Sequence, residues 1–191
     1  MIEFLKMIKT VKCKLLVGDH QTLALAETMV QFATACTEVA IYAARQNIWH
    51  TFRLQALYYH YIRAIYGLSA NYAVRVCDRV ARSKGKVFKP TSVTIDKELF
   101  RYIEKTEEAT ASTVRGRIRF KLAIGDYQRQ LLKGWKFGAG TISYDRRTNQ
   151  FFANLCVETP DVPAGGSKPL GVDLGINPNC HNLYRARHFW A

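Results

Sequence analysis

An α+β fold, with strands on both sides of a block of helices, is what this sequence predicts. Three observations carry it. Val11, Lys12, Cys13, Lys14 and Leu15 alternate apolar and basic, the period of a half-buried strand. From Thr22 to Ser83 the apolar residues return at three- and four-residue steps, the period of a helix. After that block, period-two alternation comes back between Thr110 and Ala123, and short strands are expected at 141–144 and 151–157. The 191 residues suffice for one or two domains with a real core, and an apolar share of 48% argues against disorder.

In chain order, Gly18-Asp19 breaks the first strand, and Asp19 reads as the N-cap of a helix to about Asn47. Leu25, Met29, Phe32, Cys36, Val39 and Ala43 form its apolar stripe. A second helix is expected over Thr51–Tyr66, with Leu54, Leu57 or Tyr58, Tyr61 and Ile65 inward and Gly67 as C-cap. Ser69 caps a third helix to about Ser83, facing a core with Ala70, Ala73, Val74, Cys77 and Val80. The three form a small bundle or a helical insertion. Lys89-Pro90-Thr91-Ser92 leads back to sheet, and 94–102 reads as either extended or helical. Asp145 to Asn149 is a hairpin tip between strands, and Thr159 to Lys168 has linker composition.

The formal net charge of +13 and the pI near 9.7 imply an anionic partner, with nucleic acid first and a membrane surface second. No apolar run is long enough to span a bilayer. Glu3, Lys6 and Lys9 interrupt the N-terminus, which gives no secretory core, and Met7 is an alternative start. The five cysteines are scattered without a C-x-x-C pair, which points to free thiols in a reducing cytoplasm rather than to disulfides or zinc.

Cations are organised in three places. Lys12 and Lys14 occupy the wet face of the first strand. Arg75, Arg79 and Arg82 share a face of the third helix, continued by Lys84, Lys86 and Lys89, with only Asp78 offsetting them locally. Between Thr110 and Ala123, Arg115, Arg117, Arg119 and Lys121 fall on one side with Thr113; Val114, Gly116, Ile118, Phe120 and Leu122 fall on the other. Alternate strand positions lie roughly 7 Å apart, close to the spacing of backbone phosphates. The plain alternatives are a solvated helix face and an ordinary wet sheet face, but wet faces usually mix signs. Aromatic residues crowd the second helix: Trp49, Phe52, Tyr58, Tyr59, Tyr61 and Tyr66. They read mostly as core, with room for one or two to stack on bases.

In Pro169-Leu170-Gly171-Val172-Asp173-Leu174-Gly175-Ile176, Asp173 sits inside a short apolar strand between glycines. A buried carboxylate there needs a cation or a hydrogen-bond network, and the glycines leave room for close approach. A metal ion, or a phosphate that the metal carries, meets that need. The string alone fits an RNase H-like nuclease, an actin-like or sugar-kinase ATPase, or a chance strand-turn.

The order of the parts resembles the OrfB/TnpB family of insertion-sequence proteins. The resemblance rests on Lys9-Thr10-Val11-Lys12-Cys13-Lys14-Leu15-Leu16, Phe88-Lys89-Pro90-Thr91-Ser92 and Gly125-Asp126-Tyr127-Gln128-Arg129. Ile142-Ser143-Tyr144-Asp145 and 169–176 complete it. It implies a barrel-like antiparallel β wedge domain with an inserted three-helix recognition bundle, followed by the first strand of an RNase H-like (RuvC) domain. The implied segments are 1–20 and 89–160 for the wedge, 21–88 for the insertion, 161–168 for a linker and 169–191 for the RuvC start and a divergent tail. It implies RNA-guided DNA cleavage, with guide RNA and double-stranded DNA as partners, Asp173 as first RuvC carboxylate and Mg²⁺ ligand, and a cytoplasmic, nucleoid-associated location. Lys12, Lys14, Arg75, Arg79, Arg82, Arg115, Arg117, Arg119 and Lys121 are the candidate nucleic-acid contacts.

The chain departs from the family after Asp173, where no Asp or Glu follows. The family's further Glu, second Asp and zinc ribbon are missing. The expectation is a truncated transposase-like protein that binds nucleic acid without cutting it. Alternatives are a non-catalytic competitor of full-length copies, an inert product of a decayed gene, and an ATPase fragment. The Ile176-Asn177-Pro178 that follows the motif weighs against the ATPase.

Overall fold

A computed structural model describes residues 7–84, 87–134 and 138–159. The chain divides into two compact units, Met1–Pro160 and Asp161–Ala191; the described residues all belong to the first. The linker, Asp173 and the tail, with every expectation placed on them, lie outside the described residues.

Strand β1 (Met7–Leu16) is followed by helices α1 (Asp19–Gln46), α2 (Thr51–Tyr66) and α3 (Ala70–Ser83). Then come β2 (Ser92–Ile95), β3 (Phe100–Ile103), β4 (Glu108–Thr113), β5 (Gly116–Ala123), α4 (Asp126–Leu132), β6 (Gly140–Asp145) and β7 (Gln150–Thr159). The strands form one antiparallel sheet in the order β2-β6-β7-β1-β5-β4-β3. The helices therefore interrupt a sheet that begins before them and resumes after them.

Strands β2 and β3 are opposite edges of that sheet, yet only Asp96–Leu99 joins them. A flat sheet of this size sets its edges roughly 29 Å apart. The connection reaches at most roughly 18 Å fully extended. The sheet must curl, and it forms a half-barrel. Asp96 makes the turn compact, its Oδ1 accepting from the backbone N–H of Glu98 and of Leu99 at 3.0 Å each.

Alternation sends one face inward. Val11, Cys13 and Leu15 of β1, Ile118, Phe120 and Leu122 of β5, and Ala153, Leu155 and Val157 of β7 are all buried. The whole expected stripe of α1, from Leu25 to Ala43, is buried with them. Hydrogen bonds fix helix to sheet: the Val114 N–H donates to Thr28 Oγ1 at 3.0 Å, and the Tyr72 hydroxyl donates to Ser112 O at 2.9 Å. Gly140 allows β6 and β7 to close up, since a Cβ there would sit 2.7 Å from Asn154 O.

Several sequence expectations are corrected. The run 110–123 is a hairpin, not one strand: β4 ends at Thr113, Val114-Arg115 is the turn, and β5 starts at Gly116. Gly116 adopts φ 102°, which a side chain resists, so the alternation continues through a reversal of the chain. Thr113 consequently points inward and is buried. On α2 the inward set is Leu54, Ile62 and Tyr66 with half-buried Tyr58, while Leu57, Tyr61 and Ile65 are exposed. On α3 Tyr72, Val76 and Ala81 join the expected Ala73, Cys77 and Val80, while Ala70 and Val74 are only half-buried. The cap of α1 is Gly18 rather than Asp19, with Gln21 Oε1 accepting from the Gly18 N–H at 2.6 Å. The same four-residue device opens α4, where Gln128 accepts from the Gly125 N–H at 2.9 Å. The undecided stretch 94–102 resolves into the end of β2, a turn and most of β3.

Candidate nucleic-acid interface

The third-helix arginines face the fold rather than an open groove. Arg75 Nε lies 3.0 Å from Asp96 Oδ2, and its Nη1 lies 3.8 Å from Asp78. Arg79 donates to the backbone oxygen and the hydroxyl of Ser92, each at 3.0 Å. Its guanidinium lies 5.6 Å from the ring centres of both Phe32 and Phe88. Arg79 thus ties α3 to the first residue of β2. Only Arg82 is open, its side chain 78% exposed and 3.1 Å from Asp78. Arg82 and Lys89 border a cleft of about 460 Å³ that Phe88 and Thr94 also line.

The sheet cations are arranged differently. Leu15 pairs with Leu122, both buried, so Lys14 and Leu16 of β1 and Lys121 and Ala123 of β5 belong to the outer face. Arg117 and Arg119 share that face, opposite Ser112 and Thr110 of β4. Beyond β4, Arg101 of β3 stands opposite Thr110. Lys12 pairs with Asn154 of β7, and its Nζ lies 4.0 Å over the Phe152 ring. Cations from three strands, β1, β5 and β3, and from the β4–β5 turn therefore meet on one outer surface.

That surface is not uniformly positive. Arg115, in the turn, pairs with Glu27 at 2.5 Å. Arg119 pairs with Glu108, and the Thr106 hydroxyl together with Arg119 holds the Glu108 carboxyl below its ordinary range. Arg117 binds neutral oxygens: Thr110 Oγ1 at 3.2 Å, Ser112 Oγ at 3.0 Å and Glu98 O at 2.5 Å. Among the described residues, no carboxylate lies within ion-pair distance of Lys12, Lys14, Arg101 or Lys121. Sequence reasoning missed Arg101, Phe152 and Asn154. Alternation through 151–157 was the available signal for the last two.

Among the described residues, no group of three His, Cys, Asp or Glu side chains could hold a metal ion. Cys13, Cys36 and Cys77 are buried free thiols; burial pushes Cys13 up to about 11 and the other two up to about 12, so they are poor nucleophiles. No described helix is long and apolar enough to cross a membrane. The chain matches no protein-family model and no curated protein.

Proposed function

We propose that this chain is a TnpB-like nucleic-acid-binding protein that contacts RNA or DNA through the outer face of its half-barrel and does not cut by itself. The observation that supports it is the convergence of Lys12, Lys14, Arg101, Arg117, Arg119 and Lys121, drawn from separate strands, on one solvent face. A polyanion neutralises such a face by releasing its own counterions, an effect that salt opposes. The resemblance supplies the partners of this reading, guide RNA and target DNA.

Asp173 is the acid that the family pattern would use, and Mg²⁺ the ion it would hold. One carboxylate does not clamp the two ions of that chemistry, and no Asp or Glu follows it in the chain. The donor set after Asp173 does not fit two-ion chemistry. Incubating the chain with Mg²⁺, an element-end RNA and a matching duplex should give retention without cleavage. Guide-dependent cutting by this chain alone contradicts the non-cutting reading. Absence of any salt-sensitive retention contradicts the binding reading.

A further inference from the structure

The outer face has two halves of different chemistry. Arginines dominate β5 and β3. On the other side, two lines of side chains run in register across four strands. One is Thr94, Thr141, Asn154 and Lys12; the other is Ser92, Ser143, Phe152 and Lys14. Hydroxyl, amide, one ring and two ammonium groups make up this half. Among the described residues, Phe152 is the aromatic side chain of the outer face; Phe151, its neighbour, is buried.

We propose that Phe152 and Asn154 form a base-binding subsite for single-stranded RNA. The subsite rests on the nucleic-acid reading above and adds to it that the ligand presents an unpaired base. Two observations point there. First, Lys12 lies across the Phe152 ring at 4.0 Å in the free protein. Lys12 is exposed and Phe152 half-buried, and an ammonium–ring contact open to solvent on one side is weaker than a base stacked on the same ring, so a base displaces the lysine. The freed ammonium, on a flexible stem beside the ring, then meets the phosphate of that nucleotide. Second, Asn154 Nδ2 donates to Thr141 Oγ1 at 3.2 Å and to Ser143 Oγ at 2.9 Å. Both amide hydrogens are spent there, the side chain is held in place, and Oδ1 remains to accept a hydrogen bond from a base edge.

Duplex bases are stacked on one another and cannot reach a ring standing on a sheet, so the ring selects single strands. The hydroxyls of Thr141 and Ser143 beside it suit a ribose 2′-hydroxyl, which both donates and accepts; that favours RNA over DNA. The charge of the face supplies attraction without sequence preference, and the Phe152–Asn154 pair supplies contact with the base.

The test uses the full chain and fluorescence anisotropy with a short oligoadenylate, its deoxy counterpart and a blunt RNA duplex. Phe152→Leu stays apolar and loses the ring. It should weaken oligoadenylate binding about tenfold, the scale of one stacked base, and leave the salt slope unchanged. Duplex binding should stay as it was, and Phe152→Tyr should restore affinity. Lys12→Ser should lower the salt slope by about one. Salt-sensitive binding by the parent chain that Phe152→Leu leaves intact, or weakens equally for duplex, overturns the subsite but not the binding reading. Equal loss with the deoxy strand overturns the choice of RNA. No binding by the parent chain overturns the binding reading itself, and the subsite with it. A thermal melt of Phe152→Leu matching the parent shows that any loss is not unfolding.

Discussion

Helix α3 and strand β5 both carry cations at regular spacing, and both place their apolar residues against one core. Their cations do different work. Arg75 and Arg79 reach across to Asp96 and Ser92 and hold the helix against the two ends of β2. Arg117, Arg119 and Lys121 stand on the outer side of a sheet whose inner side is already filled by Ile118, Phe120 and Leu122. A helix lying on a curled sheet has neighbours on its flanks that accept its arginines. The convex side of the sheet offers mostly its own adjacent strands, with Glu27 of α1 reaching the turn residue Arg115 and Arg79 of α3 reaching Ser92 at the sheet edge. The basic row on this helix flank is therefore largely structural, while the sheet exterior keeps Lys12, Lys14, Arg101 and Lys121 without an ion-pair partner among the described residues.

The sharpest break of this contrast is Arg79→Ala. It removes two charge-assisted hydrogen bonds and the packing over Phe32 and Phe88, and should cost about 3 kcal/mol. A denaturant midpoint measures this, and nucleic-acid affinity at a temperature where both proteins are folded should not change. Tyr72→Phe removes the bond from α3 to Ser112 O and should cost about 1 kcal/mol by the same measurement. Next comes Glu108→Gln. The Glu108 carboxyl is held below its ordinary value, so its contribution to stability is full above that value and is lost as pH falls through the lowered one. The glutamine variant should flatten the acid limb of the stability curve. It also releases Arg119, so its binding should be stronger and steeper in salt than the parent's. Arg82→Ala comes last: its side chain is 78% exposed beside Asp78, and stability should move by less than about 0.5 kcal/mol.

Much of the architecture was legible because periodicity is a direct record of burial. The α1 stripe, the span of α2, the Ser69 cap and the 145–150 hairpin all follow from local pattern and turn chemistry. Failures occurred where two readings share one pattern. Leu57, Tyr61 and Ile65 form a stripe as regular as Leu54, Tyr58, Ile62 and Tyr66, and only packing chose between them. Glu38 on α1 accepts from the hydroxyls of both Tyr61 and Tyr66, one residue from each stripe. That hydrogen bond pushes the Tyr61 hydroxyl up to about 12 while its ring stays half in solvent. The 113–116 turn was hidden because Thr-Val-Arg-Gly keeps the alternation of the strands around it; Gly116 was the clue. The outer face itself was half legible. Charge spacing exposed Arg117, Arg119 and Lys121, but which strands stand beside them depends on a register that pairs residues a hundred or more positions apart.

The most direct measurement compares two triple variants of the full chain for the salt dependence of RNA affinity. Replacing Lys14, Arg117 and Lys121 with serine should reduce the slope of log affinity against log salt by about two and weaken binding at every salt concentration. Replacing Arg75, Arg79 and Arg82 with glutamine should lower stability and leave the slope of the folded protein where it was. A slope that falls for the helix variant and stays unchanged for the sheet variant contradicts the account.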